Sequence, residues 1–530
     1  MTSRVEPGPP AAGVRRLLTA ALAAVFLGAL DLTVIASILP RMVSDLEINT
    51  ADIDRYVWIV NGYLLAYLVA IPVVGRISDL AGRRAAFLGA LAAFAAGSLL
   101  CATADSLAAL VAGRAIQGAG GGALLPIAMA LVGDVMPRER RAGALGLVGA
   151  IDTLGWVMGP LWGALLVSVV PGQDAWRWVF WINVPLSILA ALAIWRAPDG
   201  HAASASSRPA GSWLEKLDPP GVALFALALV ALNLGLSAGG EIGGGSGSRA
   251  LATSSGRVHW ASGFSVPPSA VALGLFILRE RRAAFPLLPA DLLRRPGFRP
   301  ALAANFVTGA ALIVAMVDIP VVVTLLADPD RVSAVTALAM APFTVLMAAL
   351  SLGGGALAGR FGSRQVAVAG LAVAAAGYGL LWAGVGRGSI TGMLPGLVVA
   401  GAGFGLVIAP IGAAAIDAVR AEDRGIAAAL TLVARLLGMT VSISALTALG
   451  VNRLQSRVGT LEPVVQAAGE TTAEFFARQT AFLYERVLPL ALDVVRETFL
   501  IAAVIALAAI IPALRLPAGG GSTNAADRRQ

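Results

Sequence analysis

The chain has 530 residues, a net charge of +8, 58% hydrophobic and 13% charged residues, and a mean hydropathy of +0.81. A soluble domain is about half apolar and a quarter charged, so no water-soluble core holds this excess. One cysteine, Cys101, and two histidines in polar stretches, His201 and His259, exclude an intramolecular disulfide, a thiolate cluster and a histidine-based metal or nucleophile centre inside the apolar runs. No metal and no cofactor is expected. The basic residues are scattered singly between apolar runs, which speaks for topology and against nucleic acid as a partner.

In chain order the apolar runs predict spans at Leu17 to Leu39, Val57 to Val74, Ala85 to Thr103, Leu107 to Val132, Ala142 to Val170, Trp178 to Trp195 and Gly221 to Ser237. They continue at Pro268 to Leu278, Ala301 to Leu326, Ala334 to Ala358, Val366 to Ala383, Leu394 to Ile416, Ile426 to Val451 and Thr498 to Leu514, fourteen in all. An even count puts both termini on one side. Basic side chains of the amino-terminal tail and alternate loops, Arg279, Arg281, Arg282, Arg294, Arg295 and Arg299 among them, outnumber those opposite by about two to one. The expected topology is multi-pass with both termini cytoplasmic. The first run is long and carries Asp31 in mid-span, so it reads as a span and not as a cleaved signal.

The chain also repeats itself. At an offset of 283, Gly118, Ala119, Gly120 and Gly122 fall on Gly401, Ala402, Gly403 and Gly405, while Asp134, Glu139, Arg141 and Gly155 fall on Asp417, Glu422, Arg424 and Gly438. The same register puts Asp152 on Arg435. At 280, Gly75, Gly82 and Arg84 fall on Gly355, Gly362 and Arg364, with Asp79 replaced by Gly359. Spans 1 to 6 thus pair with spans 9 to 14. An all-α membrane protein is expected, with two six-helix bundles over residues 1–200 and 301–530 and a linker, 201–300, carrying two extra helices.

Several of these segments carry a resemblance. Gly75 to Arg84, with Asp79, Gly82 and Arg83, is similar to the signature loop between the second and third helices of the major facilitator superfamily. In that reading Asp79 caps the third helix while Arg83 and Arg84 bridge neighbouring helix ends, a conformational latch. Gly155, Gly159, Pro160 and Gly163 resemble its antiporter motif, small residues permitting close approach and the proline bending the span. Asp31 to Pro40, Arg114 with Gln117 and Gly118, and Trp176 to Pro185 resemble motifs of the fourteen-span drug:proton antiporter branch. Within it, Gly113 to Pro126, Phe180 to Pro185 and Ala434 to Met439 are similar to the mycobacterial triacylglyceride exporters. The resemblance implies the major facilitator fold and a transporter rather than an enzyme. It further implies a bacterial inner-membrane location, a hydrophobic cargo, a proton gradient as the driving force and a periplasmic lipoprotein partner. Proton-coupling roles map onto Asp31, Asp152 and Arg435, with Asp152 standing where the family has a glutamate.

An ionisable residue within a span costs at least about 2.5 to 3.5 kcal/mol, which independently singles out Asp31, Asp152, Arg435 and Arg114 as the proton-coupling set. Static ion pairs between helices are the alternative. Asp318 either lines a cavity or meets lipid headgroups, and Asn305 is a second cavity candidate, though Asn61, Asn183 and Asn305 also suit helix-pairing hydrogen bonds. Between Asn452 and Glu497, Phe475, Phe476, Phe482, Leu483, Val487 and Leu490 recur at helical spacing among charges. Spans 13 and 14 are therefore expected to run on as helices over 452–497, bent at Pro489, either resting on lipid or forming a wall for greasy cargo. A monomeric exporter of lipid such as triacylglyceride is the leading expectation, with multidrug:proton antiport as the alternative cargo class and a polytopic enzyme as the outside one.

Overall fold

The computed structural model describes residues 12–46, 58–196, 218–237, 271–283, 286, 290–328, 331–386, 388–461 and 471–517. Both histidines and most of the linker lie outside the described residues, which contain helices and turns but no strand. The helices are α1 (Ala12–Asp45), α2 (Trp58–Ala81), α3 (Arg83–Ala102), α4 (Leu107–Val135), α5 (Arg138–Val169), α6 (Arg177–Arg196), α7 (Pro219–Ser237) and α8 (271–280). They continue with α9 (Phe298–Leu326), α10 (Val332–Phe361), α11 (Ser363–Val385), α12 (Ile390–Asp417), α13 (Arg424–Val458) and α14 (Thr472–Ala513).

Eleven of these are long and apolar enough to cross a membrane, or twelve if the bent α5 is one span. The expected count of fourteen also needs α7 and α8. Both are helical where expected: α7 is an apolar helix of 19 residues, Pro219–Ser237, and the described part of α8 covers 271–280. In the first unit Phe225 of α7 meets Phe276 of α8 with ring centroids 5.1 Å apart, and Asp218 accepts from Arg279 at 2.8 Å.

The chain forms two compact units. The first comprises Met1–Ala226, Phe276–Phe298 and Ala415–Leu432, the second Leu227–Leu275, Arg299–Ala414 and Val433–Gln530. Their internal packing repeats residue for residue. In the first unit Gly118 and Gly122 of α4 lie against Tyr63 and Tyr67 of α2, Gly120 against Phe94 of α3, and Gly155 of α5 against Phe26 and Ala29 of α1. In the second, Gly401 and Gly405 of α12 lie against Phe343 and Met347 of α10, Gly403 against Ala374 of α11, and Gly438 of α13 against Phe306 and Ala310 of α9. Without a side chain at these points the backbones come into direct contact, which is how helices associate where lipid supplies no hydrophobic drive. The register extends to the last helix. Arg177 of α6 donates to the Ala102 carbonyl, and Arg496 of α14 donates to the Trp382 carbonyl, the equivalent residue of α11.

The glycines of α5 pack it on α1. Gly155, Gly159 and Gly163 face Ala29, Thr33 and Ser37. Two segments of α5, Arg140–Trp156 and Met158–Val169, meet at 41°. Pro160 has no N–H to give the Trp156 carbonyl, and the Thr33 hydroxyl donates to that oxygen instead, at 2.9 Å. The bend of α5 is thus completed by a hydroxyl from α1.

Helices α13 and α14, at 38 and 42 residues with their flanking turns, exceed the roughly 20 residues of a crossing. Arg453 and Arg457 of α13 both bind Glu497 of α14. The far end of α14 opens with a capping box, Thr471 and Glu474, and exposes Phe476, Leu483 and Tyr484. A widened π turn over Leu483–Val487 lies just ahead of Pro489, where a bend is expected, and Thr472–Ala513 runs through as one candidate span. Residues 462–470 lie outside the described residues.

Candidate functional site

Two polar clusters stand out in the first unit. The first gathers the signature-loop residues. Gly82 sits between α2 and α3 with φ +95, a conformation that favours glycine, and Gly362 holds the same place in the second unit with φ +89. Asp79 does not cap the third helix as expected, for α3 has no side-chain cap. Its two oxygens accept the backbone N–H groups of Gly425 and Ile426, at 2.9 and 2.8 Å, and so cap α13. A carboxylate suits this place because the first turn of a helix presents unpaired N–H groups and a positive dipole end. Gly75 makes room for it: a Cβ there would lie 2.6 Å from that of Ala429.

Arg83 binds Asp79 and donates to Ser78 at 2.8 Å and to Asp134 at 2.9 Å. Asp134 in turn accepts from Arg424 at 3.1 Å, Arg141 binds Asp417, and Arg295 lies 3.6 Å from Asp423. Arg84 is half-buried.

The second cluster is closed to solvent. Asp31 of α1 accepts from Arg114 at 2.8 Å, Gln117 at 2.9 Å and Asn183 at 2.7 Å. Arg114 donates to Gln117 at 2.7 Å and to the Ile59 carbonyl at 3.4 Å, and its guanidinium lies 3.9 Å from the centre of the Tyr63 ring. Gln117 also donates to Ser98 at 2.8 Å. All five polar side chains, Asp31, Ser98, Arg114, Gln117 and Asn183, are 1% exposed or less. Five helices, α1, α2, α3, α4 and α6, therefore converge on one carboxylate whose lone pairs are taken by an arginine and two amides. A charge can be kept in such a place only with this degree of pairing. Sequence reasoning put Asp31 and Arg114 in one network and read Asn183 as a hydrogen bonder between helices. It missed Ser98 and Tyr63, which look like ordinary members of apolar helical faces.

The repeat replaces this cluster by apolar groups in the second unit. Residues equivalent to Asp31, Ser98, Arg114 and Gln117 are Ala311, Tyr378, Leu397 and Ala400, and the Tyr378 hydroxyl donates to the Ala311 carbonyl at 2.5 Å. Asp152 is buried on α5 in the first unit, and Arg435, half-buried, lies on α13 in the second, where its backbone touches Gly309 of α9. Asn305 is buried on α9, and half-buried Asp318 on the same helix lies 2.5 Å from the Thr498 hydroxyl of α14. No group of three or more His, Cys, Asp or Glu side chains that could hold a metal occurs among the described residues.

Membrane-length helices, two copies of one packing scheme and a charge cluster sealed between five helices define a polytopic membrane transporter. The profile of the Major Facilitator Superfamily matches residues 21–443, and the chain belongs to that family. A triacylglyceride transporter of Mycobacteroides abscessus is 36% identical over 457 residues, covering 81% of each chain. One of Mycobacterium tuberculosis is 34% identical over 472 residues, covering 86% of each. Among solved structures, the human organic anion transporter MFSD10 matches with a TM-score of 0.56 at 15% identity, over 94% of this chain and 100% of that one. The fucose:proton symporter of E. coli matches at 0.54 and 13%, over 93% and 98%. At such identities the likeness is one of fold. Family and relatives make the chain a transporter and not an enzyme.

Proposed function

We propose that the chain exports a hydrophobic cargo, a lipid such as triacylglyceride, across the bacterial inner membrane by alternating access in exchange for protons. The observation that carries this reading is Asp31, fully buried and held by Arg114, Gln117 and Asn183. Its donors come from α4 and α6, so a shift of α1 against those helices breaks the bonds together. A carboxylate that loses its guanidinium in a dry site takes up a proton, because burial disfavours the charged form once pairing is gone. Asp152, also buried, is the second carboxylate of the relay, and Arg435 belongs to the same proton-coupling set. One charge crossing 100 mV contributes about 2.3 kcal/mol, a bias of more than tenfold on a transport step.

The Asp79 contacts to α13 serve as a latch on the side assigned as cytoplasmic, made in one state of the cycle and broken in the other. Relatives named triacylglyceride transporters support the choice of lipid, as do the long α13 and α14 with Phe476, Leu483 and Tyr484 exposed at the far end. That apolar wall suits cargo on its way to a periplasmic lipoprotein.

Proteoliposomes with an imposed pH gradient test the reading. Labelled triacylglyceride is expected to move when the gradient is applied and to stop when it is collapsed. The Asp31→Asn and Asp152→Asn variants, inserted at normal levels, are expected to lose this dependence. Gradient-driven movement of amphipathic dyes without lipid movement would make the chain a multidrug antiporter instead.

A further inference from the structure

We propose that Asp318 binds a proton as a neutral carboxylic acid that donates to Thr498, giving the second unit a proton site of its own. The argument is a count of hydrogens. Thr498 Oγ lies 2.7 Å from the Val495 carbonyl oxygen and 2.5 Å from Asp318 Oδ2. A hydroxyl carries one hydrogen, and a carbonyl oxygen can only accept. If Thr498 gives its hydrogen to Val495, as hydroxyls on helices do towards the preceding turn, the short contact to Asp318 needs a second hydrogen. Only Asp318 can supply it. The three oxygens then form a directed chain, with Asp318 donating to Thr498 and Thr498 donating to Val495.

Its surroundings agree. Among the described residues Asp318 makes no ion pair, in contrast to Asp31 with its arginine. Several ionisable groups on neighbouring helices are committed elsewhere. From α11, Tyr378 donates its hydroxyl to the Ala311 carbonyl. On α14, Glu497 is bound by Arg453 and Arg457, while Arg496 donates to the Trp382 carbonyl and to Asp493. On α9 itself the other charge is Arg299, 19 residues and about 28 Å of helix away. A carboxylate without a counter-charge in a span is costly, and protonation removes that cost.

The repeat gives the site a place. Asp31 and Asp318 stand on equivalent helices, α1 and α9, and the residues equivalent to them are Ala311 and Ile38. Asp318 is thus seven residues, two helical turns, from the level of Asp31 and on the same face of its helix. Asp31 on α1 is thus ionised and paired, and Asp318 on α9 is neutral.

Infrared difference spectroscopy on the purified full-length chain decides this, and it requires no transport. At neutral pH the wild-type minus Asp318→Asn spectrum is expected to contain the C=O stretch of a protonated carboxylic acid. In Thr498→Val, which keeps the shape but removes the acceptor, the band is expected to move to higher frequency. In Thr498→Ser it is expected to stay. A difference spectrum showing the paired stretches of an ionised carboxylate overturns the proposal, and so does a band that ignores Thr498→Val. Because the readout is spectroscopic, a positive band with no gradient-driven export would sink the export reading and leave the proton site standing.

Discussion

Asp134 pairs with Arg424 at 3.1 Å, and the two residues that stand for them in the repeat, Asp417 and Arg141, pair with each other. Each loop of the form Asp to Arg seven residues on therefore gives its acid to the other's arginine. The exchange is reciprocal. It predicts that reversing one member, Asp417→Arg, lowers stability by about 1 kcal/mol or more, since it sets like charges together where a part-buried pair stood. The double reversal Arg141→Asp with Asp417→Arg should recover most of the loss. Thermal unfolding of the detergent-solubilised variants measures both, and equal losses in the single and double variants would deny the pairing.

A second prediction concerns the bend of α5. Thr33→Val removes the donor that satisfies the Trp156 carbonyl and should cost about 1–3 kcal/mol, the penalty of a buried acceptor left unpaired. Pro160→Ala restores a backbone N–H four residues on, aimed at that same oxygen. The two changes together are therefore expected to be less damaging than Thr33→Val alone. A double-mutant cycle gives the sign of the coupling, and simple additivity would mean that Thr33 does not complete the bend.

Much of the fold was legible because close helix packing writes itself in glycine. Gly118, Gly120, Gly122 and Gly155 and their partners at an offset of 283 mark backbone contacts that recur in both units. The last helix escaped that register because the α13–α14 extension lengthens the second copy, so Arg496 answers Arg177 at 319. Asp31 and Arg114 were visible because charges are rare in spans. Ser98 and Tyr63 were not, since a serine or tyrosine on an apolar helix costs little and so signals little. The cap made by Asp79 was misread for a different reason. Local rules favour the adjacent helix, and nothing in the sequence shows that the first turn of α13, 346 residues away, supplies better donors.

Glycines of two kinds should separate under substitution. Gly82 has φ +95 and open space where a Cβ would stand, so Gly82→Ala and Gly82→Ser should cost the same, about 1–3 kcal/mol of backbone strain. At Gly118 a Cβ would strike the Tyr63 backbone, and there the loss should grow from Ala to Ser to Val. Parallel melting curves for the two series test this, and a size dependence at Gly82 would contradict it.

The Asp31 cluster yields the sharpest contrast between removing a charge and removing a pair. Arg114→Ala leaves Asp31 with only the amides of Gln117 and Asn183 in a site closed to water, and Asp31→Asn leaves a buried guanidinium with no anion. Breaking one side of such a pair costs about 3–5 kcal/mol, whereas replacing both sides by neutral groups of similar shape is close to harmless. Asp31→Asn combined with Arg114→Gln is therefore expected to melt nearer the wild type than either single variant. Arg114→Lys is expected to be nearly as poor as Arg114→Ala, because an ammonium cannot reach Asp31, Gln117 and the Ile59 carbonyl together while lying flat on Tyr63. The neutral double variant also divides stability from transport, for it keeps the packing and removes the titratable group. If it folds as expected and still moves cargo when driven by a pH gradient, Asp31 belongs to a structural ion pair and the coupling carboxylate lies elsewhere.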